Sequence, residues 1–124
     1  MYEILIVGGG PAGLTAAMYA ARAGKHVAVL ERGSTGGQII SAPLVENYPG
    51  IPSVSGTELA RQMTEQACTF GAEIVYTEAV GLEKTPAGFR VLCTDGVREA
   101  KTVILATGAA HRRLDLPWET TLTG

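Results

Sequence analysis

The sequence predicts an α/β fold in which a parallel sheet carries an added antiparallel hairpin, and three observations indicate it. Two short apolar segments, residues 3–7 and 26–30, enclose a helix-forming segment at residues 11–23, which is the order of a right-handed βαβ unit. A third apolar segment at residues 102–106 is of the same buried, parallel type. Residues 79–93 contain two strand-like segments around a central turn, as a hairpin does.

The first βαβ unit is the most regular part of the chain. Residues 3–7 are almost wholly apolar, as expected of a parallel strand that is covered on both faces. Residues 11–23 are rich in helix formers, and Gly24 is placed to end the helix. The second strand, residues 26–30, is again apolar and is followed by Glu31.

A long segment without periodicity follows, from residue 32 to residue 56, with five glycines and three prolines. Loops of that length inside compact domains are usually functional. Ser55 and Glu58 fit a capping box, and apolar residues recur at helical spacing over residues 57–70. Gly71 is expected to end this second helix.

The rest of the chain predicts strands. Residues 73–76 form a short one, and residues 79–83 and 89–93 flank Pro86-Ala87-Gly88 as a hairpin would. The final strand, residues 102–106, is apolar enough to lie inside the parallel sheet.

Composition narrows the class of protein. A chain of 124 residues that is 46% hydrophobic and 18% charged can bury one modest core, so we expect one domain or part of one. A formal charge of −2 and a pI of about 5.6 argue against a nucleic acid partner or an anionic membrane surface. The uncharged stretch from Ile4 to Ala21 contains glycines and a proline that would leave backbone groups unpaired in lipid, which argues against a membrane span.

The cysteines and histidines give no catalytic group. Cys68 and Cys93 are the only cysteines, and their spacing fits neither a metal site nor a redox motif. We therefore expect each to be a buried small side chain or a bystander, in a reducing cytoplasm. His26 and His111 have no nucleophile or ligand set nearby and are expected to be structural or solvated. No metal site and no catalytic residue is predicted.

The glycine-rich turn between the first strand and the first helix predicts a dinucleotide site. Gly8 permits the tight turn, Gly10 allows a phosphate to approach the backbone, and Gly13 allows helix and strand to pack closely. Pro11 and Ala12 lie in the first helical turn, where free N–H groups and the helix dipole favour a pyrophosphate.

Glu31 is the predicted ribose-binding residue. It lies 18 residues beyond Gly13 at the end of the second strand, where a carboxylate can accept hydrogen bonds from both hydroxyls of an adenosine ribose. Arg32 beside it is included in the predicted site. An acidic residue here favours an unphosphorylated ribose, so the turn and Glu31 together indicate FAD or NAD rather than NADP.

Three further motifs carry a family resemblance: Gly36-Gly37-Gln38, the segment Val45-Glu46-Asn47-Tyr48-Pro49-Gly50, and Ala106-Thr107-Gly108. At these residues the chain resembles the low-molecular-weight thioredoxin reductases of bacteria, a branch of the pyridine nucleotide-disulfide oxidoreductases. The resemblance spans essentially the whole chain and includes Arg112, Leu114 and Pro117. It implies a three-layer (ββα), Rossmann-like FAD-binding domain, with a parallel sheet and an antiparallel β-meander, that is incomplete in this chain.

The resemblance also implies which residues hold the cofactor, FAD. The double glycine and glutamine and the asparagine of the second motif would lie beside the flavin, the end of the last strand would bring backbone close to it, and the hairpin would meet the adenine. The residues that it adds to the predicted site are Gly36, Gly37, Gln38, Asn47, Ala79, Val80, Ala106, Thr107 and Gly108.

By the same resemblance, the parent protein would be an NADPH-dependent thioredoxin-disulfide reductase that is homodimeric and acts on a thioredoxin-like protein. Residues 1–124 contain no second glycine-rich βαβ unit and no Cys-x-x-Cys motif. They are therefore expected to be the N-terminal part of the FAD-binding domain, without the NADPH and Cys-x-x-Cys domain and without the segment that completes the FAD domain. Such a chain is expected to be inactive by itself.

Two alternatives stay open at the level of sequence. The chain could be the FAD-binding part of a related ferredoxin or flavin reductase, or of a dithiol oxidase on the same scaffold. It could also be a non-catalytic module that holds FAD or NAD. The next stretch of gene, with or without a cysteine pair, would separate the first alternative from a thioredoxin reductase.

Overall fold

The computed structural model of the chain describes residues 1–109, which form a mixed β-sheet with helices on one face. The strands are β1 (Tyr2–Val7), β2 (Val27–Glu31), β3 (Glu73–Tyr76), β4 (Ala79–Thr85), β5 (Gly88–Cys93) and β6 (Gly96–Leu105). The helices are α1 (Pro11–Arg22), a short 3₁₀ helix (Gly37–Ser41) and α2 (Gly56–Thr69). The order of strands across the sheet is β3-β2-β1-β6-β5-β4.

The parallel half of the sheet is centred on β1, which pairs with β2 on one side and with β6 on the other. Leu5 and Ile6 point to opposite faces because side chains alternate along a strand, and both are 0% exposed. Both faces of β1 are therefore covered, as its apolar sequence predicts. The β1-α1-β2 unit is confirmed.

Two hydrophobic cores separate three layers. The first lies between the sheet and the helices, and its buried members are Ile6, Ala17, Ala21, Val27, Val29, Ala67 and Ala72. The second lies on the other face of the parallel strands, where the antiparallel meander of β4, β5 and β6 covers them, and its buried members are Leu5, Ala28, Leu30, Val91 and Ala100. The helices, the parallel strands and the meander thus form the predicted three-layer ββα arrangement.

Strand β6 joins the two halves of the sheet and is longer than predicted. Its first half pairs antiparallel with β5 from Gly96 to Ala100, and its second half pairs parallel with β1 up to Leu105. The sequence prediction began this strand only at Thr102. The reason is that the meander half carries charged side chains, Arg98 and Glu99, which do not resemble a buried strand.

The loop at residues 32–56 has more structure than its composition predicts. Besides the 3₁₀ helix, two isolated bridges close it, between Val45 and Val54 and between Tyr48 and Ile51. Val45 and Val54 exchange both backbone hydrogen bonds, at 2.7 and 3.1 Å. Each bridge pairs a single residue with another instead of forming a continuous ladder, so it leaves no periodic signal in the sequence.

The N-terminus of α2 is capped as predicted, but the capping box is only half formed. Ser55 Oγ accepts a hydrogen bond from the Glu58 backbone N–H at 3.1 Å. The Glu58 carboxylate instead binds the Arg61 guanidinium, which lowers the pKa of Glu58 to about 2. Within residues 1–109, no helix is long and apolar enough to span a bilayer.

Replacing Ser55 by alanine is expected to lower the free energy of unfolding by about 1 kcal/mol, because one N–H of the first turn of α2 loses its side-chain acceptor. Urea denaturation followed by circular dichroism measures this change. Ser53→Ala, which lies before the helix, is the matched control and is expected to stay within about 0.5 kcal/mol of the wild type. Equal losses in the two variants would contradict a capping role for Ser55.

Candidate functional site

A groove of about 520 Å³ runs along the carboxyl ends of β1, β2 and β6. Ligands bind at this edge in open α/β sheets, because the loops diverge there and leave a crevice. Most of the predicted site residues line this groove: Gly8, Gly10, Pro11, Ala12, Glu31, Arg32, Gly37, Gln38, Ala106, Thr107 and Gly108. The groove therefore brings together residues from four separate parts of the sequence.

Gly8 starts the glycine turn in a conformation that few other residues adopt, with φ of +109°. Its N–H donates to the Leu30 carbonyl at 2.9 Å, which ties the turn to β2. A Cβ built on Gly8 would lie 2.0 Å from the carbonyl oxygen of Ala106, at the end of β6. The turn can therefore fit between β2 and β6 only with glycine at this position.

Gly13 has a packing role and does not line the groove. A Cβ at this position would lie 1.9 Å from the carbonyl oxygen of Gly8, so α1 could not approach the turn with a larger residue there. This is the close packing of helix on strand for which the third glycine of the motif is used.

Gly10 differs from both, because the protein itself does not require glycine there. Its φ of −77° is ordinary, and the nearest atom to a Cβ would be the Gly37 Cα, at 3.7 Å. Gly10 precedes the first turn of α1, which has no side-chain cap and no acidic residue. The free N–H groups of this helix end face the groove, and they favour an anion there.

The Glu31 carboxylate is held in the groove by two backbone groups. Its Oε1 accepts from the Gly9 N–H at 2.9 Å, and its Oε2 accepts from the Gly33 N–H at 2.6 Å. Each carboxylate oxygen has further lone-pair positions, so both can still accept a hydrogen bond from a ligand. The arrangement suits a pair of neighbouring hydroxyl groups.

A smaller cavity of about 220 Å³ adjoins the groove, and the two share Gly8, Glu31, Arg32 and Thr107. Ala79, predicted to meet the adenine, lines this cavity together with Thr77 and Glu78. Thr77 and Glu78 were not predicted from the sequence. They directly follow β3, so their position at the same edge of the sheet was the signal that could have identified them.

Gly36 and Gln38 connect the groove to neighbouring elements. Gly36 is buried outside the groove, where a Cβ would lie 2.5 Å from the Ala60 Cβ on α2. Its N–H donates to the Gly9 carbonyl at 2.7 Å and so joins the long loop to the glycine turn. Gln38 Nε2 donates across the groove to the carbonyl oxygen of Ala109, which follows the end of β6, at 2.6 Å.

Other predicted residues lie away from the groove. Asn47 is exposed and borders a shallow depression formed by residues 46–52 of its own loop. Val80 is 61% exposed on β4 and does not line either cavity. His111 and Arg112, with Leu114 and Pro117, lie outside the described residues.

The two cysteines are on opposite sides of the sheet and do not form a pair. Cys68 is on α2, and burial raises the pKa of its thiol. Cys93 ends β5 and packs against the core beneath the meander. Both are free thiols, and neither lines the groove or the smaller cavity.

Comparison with known proteins gives one consistent family. Residues 2–123 match the pyridine nucleotide-disulphide oxidoreductase family. The thioredoxin reductase of Treponema pallidum is 43% identical over 124 residues, which are 99% of this chain and 40% of that protein. The thioredoxin reductase structure from Lactococcus lactis in its FR conformation superposes with a TM-score of 0.91 at 40% identity, covering 97% of this chain and 40% of that one.

A second solved structure, of the thioredoxin reductase from Streptococcus pyogenes, is 47% identical with a TM-score of 0.88, covering 94% of this chain and 38% of that one. The chain spans about 40% of the length of the curated relatives that it matches. The match extends over nearly all of its residues, and the glycine turn, Glu31 and the loop motifs meet at one groove. The chain belongs to the pyridine nucleotide-disulphide oxidoreductase family.

Proposed function

We propose that this chain is the FAD-binding segment of an NADPH-dependent thioredoxin-disulfide reductase. The observation that carries the proposal is the groove, in which the free N-terminus of α1 lies beside the fixed carboxylate of Glu31. A dinucleotide presents a pyrophosphate next to a ribose with two free hydroxyls. The groove offers N–H donors and carboxylate acceptors in that same order.

The residues of the groove fit the cofactor. Gly10, which no protein contact explains, leaves room for a phosphate against the backbone. Glu31 would accept hydrogen bonds from the ribose, and the smaller cavity walled by Ala79 would take the adenine. Gln38 and Thr107 would lie along the remaining part of the cofactor. When bound, FAD supplies the two-electron chemistry, and the protein supplies position and electrostatics.

The part played by each protein group follows from its chemistry. The end of α1 binds negative charge through its N–H groups and dipole. The Glu31 carboxylate orients the ribose and disfavours a 2′-phosphate by like-charge repulsion. Gly37, exposed and without a side chain, allows a flat ring to lie close to the loop, and Asn47 is proposed to contribute its amide from the neighbouring loop.

The function of the longer parent protein rests on its named relatives. All of the relatives described above are thioredoxin reductases, so we propose that the parent takes electrons from NADPH and reduces a thioredoxin-like protein as a homodimer. The free thiols Cys68 and Cys93 favour a reducing cytoplasm as its location. NADPH-dependent reduction of an aromatic disulfide by the purified 124-residue chain would contradict its assignment as a segment that is inactive alone.

Replacing Gly10 by alanine is expected to separate cofactor binding from folding. The new methyl group meets no protein atom closer than 3.7 Å, so we expect the free energy of unfolding to fall by no more than about 1 kcal/mol. The methyl group occupies the phosphate position, and we expect FAD binding to weaken by about 5- to 150-fold. Urea denaturation and titration of flavin fluorescence measure the two quantities.

Gly33→Ala is the control for this experiment. A Cβ there makes only an ordinary contact, 3.6 Å from Glu31 Oε2, and Gly33 does not line the groove. We expect it to bind FAD like the wild type. Equal FAD affinity in Gly10→Ala and the wild type would contradict a phosphate position at Gly10.

A further inference from the structure

The connection between β3 and β4, residues 77–78, forms one wall of the smaller cavity together with Ala79 at the start of β4. This connection has no regular structure of its own, so its position depends on its contacts. Its first contact is with the site: the Thr77 N–H donates to the backbone carbonyl of Glu31 at 3.0 Å. The cavity wall is thereby joined to the residue that we assign to the ribose.

The second set of contacts comes from outside the cavity, from the turn between β5 and β6. Thr77 Oγ1 donates to Asp95 Oδ1 at 2.6 Å, and Thr94 N–H donates to the Glu78 carbonyl at 2.9 Å. Thr77 is 8% exposed, and it is the only polar residue that is buried within residues 1–109. A buried hydroxyl needs a partner, so this contact fixes the side chain of Thr77.

Asp95 is itself held in place. Arg98 Nη1 donates to Asp95 Oδ1 at 2.8 Å, and Nη2 donates to Oδ2 at 3.1 Å, a two-pronged pairing that sets the plane of the carboxylate. The hydrogen bonds from Arg98 and Thr77 hold the pKa of Asp95 well below its usual range, so the acceptor stays ionised. The contacts run from Arg98 through Asp95 to Thr77, and from there to the cavity wall.

We propose that Asp95 is a positioning residue for the adenosine part of the dinucleotide, acting through Thr77 from outside the cavity. The inference rests on the proposed function, because it assigns the smaller cavity to adenosine. Asp95 does not line the cavity, whereas Thr77 does. The hydrogen bond between them therefore holds one wall of the adenosine cavity in place from outside.

The test compares two probes, ADP and inorganic pyrophosphate, by isothermal titration calorimetry on the purified chain. Thr77→Val keeps the shape of the side chain and removes its hydroxyl, and we expect it to weaken ADP binding by about 2- to 10-fold. Pyrophosphate binding should not change. Thr77→Ser keeps the hydroxyl and should restore ADP affinity, which loss of general stability would not explain.

A double-mutant cycle identifies Asp95 as the partner. If the two residues act through one bond, Thr77→Val combined with Asp95→Ala weakens ADP binding no more than either change alone. Glu83→Gln is the matched control, because it removes an exposed ion pair with Arg90 elsewhere in the same meander. It should leave both affinities unchanged.

Hydrogen exchange without ligand provides an independent readout. The Thr77 amide is expected to exchange faster in Thr77→Val and Asp95→Ala than in the wild type or in Glu83→Gln. If wild-type protein binds ADP but the Thr77 and Asp95 variants bind it equally well, the positioning role is wrong and the proposed function stands. If wild-type protein does not bind ADP, the proposed function and the adenosine assignment are wrong. Amide exchange then tests only whether the hydrogen bond between Thr77 and Asp95 holds the connection in place.

Discussion

Replacing Gly8 by alanine is expected to lower the free energy of unfolding by about 2–6 kcal/mol. Two costs add. The φ of +109° is strained for any residue with a Cβ, at about 1–3 kcal/mol. The methyl group would also lie 2.0 Å from the Ala106 carbonyl oxygen, and relieving such overpacking costs about 1–3 kcal/mol more. Urea denaturation followed by circular dichroism measures the sum.

Gly71→Ala separates the two costs. Gly71 has nearly the same φ, +110°, but a Cβ there meets no atom within 4 Å. The loss of unfolding free energy in Gly71→Ala should therefore come from backbone strain alone. If Gly8→Ala is no less stable than Gly71→Ala, then the contact between the glycine turn and the end of β6 does not constrain the fold, and our account of Gly8 is wrong.

Replacing Glu31 by alanine is expected to have the largest effect on cofactor affinity. The change removes the acceptor for two ribose hydroxyls, and hydrogen bonds to a charged group contribute about 1.5–3 kcal/mol each. FAD binding should therefore weaken by about 10²- to 10⁴-fold. The change also releases the N–H groups of Gly9 and Gly33, which the carboxylate holds. Titration of flavin fluorescence measures the affinity.

The control for Glu31 is Glu73→Gln, which removes one negative charge from the opposite edge of the same parallel strands. Glu73 begins β3 and accepts a hydrogen bond from Tyr2 Oη at 2.9 Å, far along the strands from the groove. We expect its FAD affinity to match the wild type. A similar loss of affinity in the two variants would mean that net charge, rather than the ribose contact, explains the effect of Glu31.

The parallel strands were predictable because burial on both faces leaves a plain signal in sequence. The bounds of β3, residues 73–76, were predicted as the structure has them, β1 differs by one residue at its start, and β2 differs by one residue at each end. The first half of β6 was missed because it lies in the meander, which is covered on one face only. Its charged residues, Arg98 and Glu99, are compatible with a strand that has one exposed face, and they resemble a loop when read alone.

The candidate site was predictable where a local motif defines it. Gly8, Gly13 and Glu31 take their places from the βαβ unit alone. The surroundings of Gly36 depend on contact with Ala60 on α2, and those of Thr77 depend on Asp95. Such contacts join residues that are far apart in sequence and leave no spacing pattern. Sequence reasoning therefore placed Gly36 in the site, whereas the structure buries it against α2.

Titration of FAD with the purified chain, followed by flavin fluorescence and visible absorbance, tests directly whether the groove binds a dinucleotide. We expect saturable binding at one FAD per chain, displacement by ADP, and marked weakening by Gly10→Ala and Glu31→Ala. FAD fluorescence that does not saturate, or that saturates without competition from ADP, would contradict the claim that the groove beside the glycine turn is a dinucleotide site.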